Sequence, residues 1–242
     1  MVPTLVLFDL DGTLVDAGGA GRRGLERAFE QVFGVPNMAG PSSRVRFEGK
    51  TDPTILADLA REAGIADADF AERKERLLEA YLEGLADDMA RHDPRRRILP
   101  GVVPLLEALH ARESVHTGLL TGNLERGARI KLEPFGLNRY FADGGFSSDS
   151  ADRSEIARVA HARASRRTGL RFAADRTFVV GDTELDVACA HANGFRAIAV
   201  ASGWVSRERL AASGPDVLLD TLEDLPALLR AMGIDGVRRE TA

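Results

Sequence analysis

The stretch Leu5-Val-Leu-Phe-Asp9-Leu-Asp11-Gly-Thr-Leu-Val-Asp16 decides the reading of this 242-residue chain. Its opening apolar run has the character of a strand covered on both faces. Residues i and i+2 of a strand point the same way, so a continuing strand would crowd the carboxylates of Asp9 and Asp11 together. Gly12 and Thr13 turn the chain instead. The two acids then stand at the carboxyl end of a strand, where open α/β sheets place their chemistry. A bare Asp-x-Asp fits an ordinary charged surface turn equally well. The full Asp-x-Asp-Gly-Thr-Leu-x-Asp string directly after an apolar strand is far more specific.

Working outward, further apolar strands are predicted at Val115–Leu120, Thr177–Val180, Ala197–Val200 and Val217–Leu219, with a weaker one at Asp143–Phe146. Helical patterns separate most of them, including Val102–His110, Glu125–Phe135 and Glu155–Ser165. That alternation predicts βαβ units and a parallel sheet. The gap between the first strand and Val115, about a hundred residues, is too long for one crossover. Helical stripes fill it: Leu25, Ala28, Phe29, Val32 and Phe33; Ile55, Leu56, Leu59 and Ala60; and Leu77, Leu78, Tyr81, Leu82 and Leu85. Residues 17–92 therefore read as an inserted helical subdomain, and 1–16 with 93–242 as the core. His92-Asp-Pro-Arg-Arg-Arg97 reads as a solvated return linker, and Val237–Ala242 as a frayed end.

Composition narrows the function. Formal net charge is −5 with acids and bases interspersed, and no sustained basic block calls for nucleic acid. No apolar stretch is long enough to span a bilayer, and no start resembles a signal peptide. The lone Cys189 rules out an intrachain disulfide and fits a reducing compartment, so a cytoplasmic protein is expected. Its small-residue helical surroundings make it buried filler. Arginine supplies nearly all the positive charge. The only lysines are Lys50, Lys74 and Lys131.

Two further segments carry chemistry. In Val115-His-Thr-Gly-Leu-Leu-Thr121-Gly122-Asn123 a strand ends in a hydroxyl and a glycine. Thr121 and the backbone N–H groups of Gly122 and Asn123 can donate to phosphate oxygens, although the same pattern is common in plain turns. In Thr177-Phe-Val-Val-Gly181-Asp182-Thr-Glu184-Leu-Asp186 an apolar strand runs into Gly-Asp, with a second acid in the first turn of the next helix. Helix capping and the helix dipole account for the acids but not for the strand-Gly-Asp junction.

These pieces, in this order, resemble the haloacid dehalogenase superfamily, and most closely its phosphoglycolate-phosphatase-like members with a helical cap. The resemblance implies an α/β fold: a Rossmann-like doubly wound parallel sheet with the inserted helices closing over the site. It implies Asp9 as nucleophile, Asp11 as general acid and base, and Thr121 as phosphate-binding hydroxyl. It also implies Mg²⁺ held by Asp9, the carbonyl of Asp11 and Asp182, with Asp186 a further acid at the metal, directly or through water. The family's usual third-motif lysine is missing. Lys131 follows Thr121 too closely, on the next helix, to fill that place. Arg153, just before the helix at Glu155, is the expected substitute, favoured over Arg158 by lying nearer the strand ends. A small-molecule phosphate monoester is the expected substrate, with no nucleic-acid or membrane partner. The alternatives are a hexose-phosphate mutase and a non-catalytic binding module. A dehalogenase fits less well, because that branch lacks an acid at the position of Asp11. The loop Phe47-Glu-Gly-Lys50-Thr-Asp52 is a candidate for substrate selection, with Lys50 more readily an ordinary loop lysine. The particular ester and the oligomeric state stay open.

Overall fold

In the computed structural model, which describes residues 2–234, the first apolar run is β1 (Thr4–Phe8), wholly buried. The chain then forms β2 (Val15–Asp16) and the helices α1 (Ala20–Phe33), α2 (Ala39–Ser43), α3 (Asp52–Glu62) and α4 (Asp67–Met89). It returns through β3 (Arg97–Ile98) to α5 (Val102–His110), β4 (Val115–Leu120), α6 (Glu125–Leu132), β5 (Gly144–Gly145) and α7 (Arg153–Thr168). β6 (Thr177–Gly181), α8 (Glu184–Ala192), β7 (Arg196–Val200), α9 (Arg207–Ala212), β8 (Val217–Leu219) and α10 (Leu225–Ala231) follow. The segment expected to fray, Val237–Ala242, lies outside the described residues.

Six strands pair in the order β5-β4-β1-β6-β7-β8, all parallel. The order runs outward from β1 in both directions, so the sheet reverses its winding between β1 and β6. Ligands of open α/β sheets bind at such a switch point, beyond the carboxyl ends of the strands. The register puts Phe8 beside Leu119 on one side and Val180 on the other. Asp9, Thr121 and Asp182 therefore leave the sheet at nearly the same level.

Side chains alternate across β1, and the core divides accordingly. Val6 and Phe8 pack with Leu105, Leu109 and Phe141 on one face. Leu5 and Leu7 pack with Ile156, Ala160 and Val187 on the other. The expected strand at Asp143–Phe146 is only two glycines long. A Cβ at Gly145 would lie 2.2 Å from the carbonyl oxygen of Ile156, so α7 can approach β5 only because that side chain is missing.

Helices α1, α3 and α4 have an apolar cluster of their own, built on Leu25, Phe29, Leu56, Leu59, Leu77, Tyr81 and Leu85. Each large side chain fully buried there contributes about 1.5–3 kcal/mol. Two features of this region differ from expectation. β2 and β3 pair antiparallel, Val15 with Ile98 and Asp16 with Arg97, and Arg97 forms an ion pair with Asp16 at 3.0 Å. Two-residue strands are too short to give a periodic signal. The arginine run is also not simply solvated. The Arg96 side chain is only 7% exposed and donates to the carbonyls of Met89 and Arg91 and to Asp88. Asp88 in turn accepts from Arg23 at 2.8 Å and from Arg27. One buried acid thus ties α1, α4 and the segment leading into β3 together.

Hydrogen bonding from Arg23, with further help from Arg27 and Arg96, holds the Asp88 carboxyl below its usual range. A lowered folded-state value stabilises the protein above the unfolded carboxyl's range, near pH 4, and that stability drains away as the pH falls further. Asp88→Asn leaves three guanidinium groups facing a neutral amide. We expect a loss of about 3 kcal/mol in urea unfolding at pH 7. The difference from wild type should shrink as the pH falls through the acid range, because wild type then loses the same interaction. A variant within ~0.5 kcal/mol of wild type at pH 7 would show the network to be energetically neutral.

Candidate active site

Asp9 follows β1 directly. Its backbone N–H donates to the carbonyl of Val180 at 2.9 Å, which fixes it to the neighbouring β6. Asp182 follows β6 in the same way. Gly12 turns the chain between them with φ 84°, and a Cβ there would lie 2.4 Å from Asp182 Oδ2. Asp186 comes from the first turn of α8, where it completes a capping box with Thr183. Its Oδ2 accepts from the Thr183 hydroxyl at 2.7 Å and from the Thr183 N–H at 3.1 Å.

Carboxylate oxygens of Asp9, Asp182 and Asp186 all lie within 4.8 Å of one another, and all three residues are buried. Burial pushes the Asp9 carboxyl up to about 7; Arg153 opposes the rise and Asp186 adds to it. Burial likewise raises Asp182 well above its usual range, reinforced by Asp9 and Asp186. The partial compensation comes from Arg153. Its Nη2 donates to Asp9 Oδ1 at 2.8 Å and to Asp186 Oδ1 at 2.5 Å. Arg153 is the first residue of α7 rather than a residue before it, because Asp152 caps the helix by accepting from the Ser154 N–H. The expected contact is nevertheless made, while Arg158 is exposed and paired with Glu155.

This acid set suits a hard divalent cation. Asp182 Oδ2 is buried with no hydrogen-bond partner, and an unpaired buried polar atom costs about 1–3 kcal/mol, more when charged. Asp9 and Asp182 carry the oxygens available to an ion. Both oxygens of Asp186 already accept from protein donors, which leaves it a supporting position behind the other two.

On the other side of Asp9, Thr121 is fully buried at the end of β4. Its hydroxyl oxygen accepts from Asn123 Nδ2 at 2.8 Å and from the Asn123 N–H at 3.3 Å. Asn123 Nδ2 also donates to Asp11 Oδ2 at 2.9 Å. Gly122 accepts from the Asp52 N–H at 2.7 Å, joining this loop to the start of α3. All eight residues expected at the site therefore gather around the ends of β1, β4 and β6.

Sequence reasoning missed Lys131. Its position on α6 seemed too close behind Thr121, yet its ammonium donates to Asp11 Oδ2 at 2.5 Å and to Asn123 Oδ1 at 2.7 Å. A signal existed: Ala128, Lys131 and Leu132 share the buried stripe of α6, and a lysine on an apolar stripe requires a partner. Asp52 was named only as the end of a loop. It is buried, accepts from the Leu124 N–H at 2.8 Å, and is pushed up to about 6 by burial against the pull of Lys131. Lys50 is drawn away to Asp58 at 2.7 Å, as an ordinary loop lysine. Cys189 is buried, donates to the Arg153 carbonyl, and is pushed by burial up to about 12, which suits filler and not a nucleophile.

A cavity of about 640 Å³ opens over these groups, lined by Asp9, Asp11 and Lys131 and, from the inserted helices, by Gly21, Arg22 and Tyr81.

Residues 6–191 match the haloacid dehalogenase-like hydrolase family. The chain is 30% identical over 230 residues to phosphoglycolate phosphatase 1 of Pseudomonas aeruginosa, covering 93% of this chain and 79% of that one. It is 31% identical over 203 residues to tyrosine-protein kinase PtkA of Mycobacterium tuberculosis. That match covers 84% of this chain but only 62% of the relative, so the chain spans less than two thirds of PtkA. Among solved structures, the β-phosphoglucomutase of Clostridium difficile superposes with a TM-score of 0.73 over 96% of this chain and 98% of that one. At 14% identity, that likeness speaks for the fold. With the sequence match running from β1 into α8, the chain belongs to the haloacid dehalogenase-like hydrolase family.

Proposed function

We propose that this hydrolase is a Mg²⁺-dependent phosphatase that cleaves a small organic phosphate monoester through an aspartyl-phosphate on Asp9. The observation that carries the reading is the convergence of Asp9, Asp182 and Asp186 at the switch point, with Arg153 bridging two of them. A scaffold that only bound a partner would gain nothing from a buried, unpartnered oxygen on Asp182. The phosphoglycolate phosphatase relative supports a small acidic ester as substrate. Residues 17–92 act as the cap, and residues 1–16 and 93–242 as the catalytic core.

Asp9 attacks phosphorus with one carboxylate oxygen, and the bond from phosphorus to the ester oxygen breaks. Asp11 gives its proton to the departing alcohol oxygen. A water then attacks the phosphoryl group and passes a proton to Asp11. The bond from phosphorus to Asp9 breaks, releasing inorganic phosphate and restoring both acids. Thr121, the amides of Gly122 and Asn123, and Arg153 hold the equatorial oxygens and meet the charge that gathers there. Asp9, the Asp11 carbonyl and Asp182 would hold Mg²⁺, which would supply electrostatic relief between an anionic nucleophile and an anionic ester.

Asp9→Asn replaces the nucleophile with a neutral amide, and turnover of p-nitrophenyl phosphate should fall at least ~10³-fold. Near wild-type turnover in that variant would remove Asp9 from the reaction.

Arg153→Ala should weaken inhibition by a phosphate analogue such as vanadate and cut turnover about 10²-fold, and Arg153→Lys should recover part of both. If Arg158→Ala is damaging while Arg153→Ala is silent, the cation at the nucleophile has been assigned to the wrong arginine.

The metal is testable without turnover. A ligand bound only by the folded state raises its stability, so Mg²⁺ at 100 times its dissociation constant should add about 2.7 kcal/mol to the metal-free protein. That increment should appear as a raised thermal midpoint and be lost in Asp182→Asn. An equal rise in both proteins would place the ion elsewhere.

A further inference from the structure

Lys131 is a buried cation that the reaction above leaves without a task, and it is one of only three lysines in the chain. Its ammonium, the Asn123 amide and the Asp11 carboxylate form a closed triangle. Lys131 donates to Asp11 Oδ2 at 2.5 Å and to Asn123 Oδ1 at 2.7 Å. Asn123 Nδ2 donates to the same Asp11 Oδ2 at 2.9 Å. The directions are mutually consistent: the amide oxygen faces the ammonium and the amide nitrogen faces the carboxylate. The amide's second donor goes to the Thr121 hydroxyl oxygen at 2.8 Å, so the triangle is anchored to the phosphate-binding loop.

Both donors sit on one oxygen of Asp11. Among the described residues, Oδ1 has no hydrogen-bond partner. The Asp11 side chain is 28% exposed while that of Lys131 is 7% exposed. Asp11 therefore has a protein-facing oxygen engaged twice and a second oxygen left for whatever enters the cavity. A carboxylate on a short side chain otherwise rotates about its last bond, and proton transfer needs one oxygen held within hydrogen-bond reach of the reacting group.

We propose that Lys131 is a positioning residue. It locks Oδ2 of Asp11 against Asn123, so that Oδ1 is presented to take the proton from the water that hydrolyses the phosphorylated Asp9. The inference rests on reading Asp11 as the proton-transfer residue. It adds a cation distinct from Arg153, which reaches Asp9 and Asp186 instead. In the step concerned, the water oxygen bonds to phosphorus, its proton passes to Asp11 Oδ1, and the bond from phosphorus to Asp9 breaks with its electron pair returning to the carboxylate.

The test uses stopped-flow release of nitrophenolate from p-nitrophenyl phosphate, with wild type, Lys131→Met, Lys131→Gln, Lys131→Arg and Asp11→Asn. Nitrophenolate leaves without a donated proton, so phosphorylation of Asp9 does not need Asp11, whereas the water step does. Lys131→Met and Lys131→Gln should each release a burst of about one nitrophenolate per enzyme. Steady turnover should then run about 10²-fold slower than wild type, the scale of a misplaced catalytic group. Lys131→Arg should recover much of the steady rate, and Asp11→Asn should show the same burst with a slower steady phase still. Wild-type turnover in both neutral Lys131 variants, or loss of burst and steady rate together alongside a lowered thermal midpoint, would overturn the role of Lys131 while Asp11→Asn kept Asp11 in place. A wild-type steady rate in Asp11→Asn would instead overturn the reading of Asp11 and this inference with it.

Discussion

Three buried carboxylates within 4.8 Å of one another are an unfavourable arrangement that the rest of the molecule is built around. Asp9 and Asp182 repel each other at the ends of adjacent strands, in surroundings that already disfavour charge. Nothing in a parallel sheet demands acids there. The sheet supplies the rigidity that keeps them together: β1 and β6 are paired along their length and buried on both faces, so the acids cannot drift apart. Arg153 offsets part of the repulsion from the start of α7, and α7 reaches that position because β5 carries glycine where it crosses. The unpaired oxygen of Asp182 is what remains, and it marks where positive charge is still wanted.

The same cluster separates two kinds of cation. Arg153 bonds Asp9, the proposed nucleophile, and Asp186. Lys131 bonds Asp11, the proposed proton-transfer residue, and Asn123. Each side chain is largely covered, and each is committed to different acids. The inserted helices bring Asp52 and Tyr81 near the Lys131 side, where burial raises the tyrosine hydroxyl well above its ordinary range. The lining of the cavity is therefore partly supplied by the inserted helices.

Much of this was legible in the sequence because it lies on continuous strings. The strand-then-acid junctions at Asp9 and Asp182 announce themselves through an apolar run broken by Gly and Asp, and α8 begins where its acids predict. Arg153 was legible only through the family resemblance, as the cation standing where the usual lysine is missing. What was illegible depends on approach between distant segments. Lys131 reaches Asp11 across 120 positions, and only its place on a buried helical stripe hinted at a partner. Arg96 looked like part of a solvated run because Asp88, its partner, sits on a different element. β2 and β3 pair two residues with two, too few to produce a period.

The central claim is a covalent bond between phosphorus and Asp9, and it can be caught directly. Acid quenching during turnover, followed by borohydride reduction, converts a carboxyl-linked phosphate to the alcohol. Peptide mass spectrometry then reads which side chain was reduced. The account predicts homoserine at position 9 and nowhere else, appearing only when a phosphate ester is present. Reduction at Asp11 or Asp182, or none at any carboxylate while turnover proceeds, would contradict it.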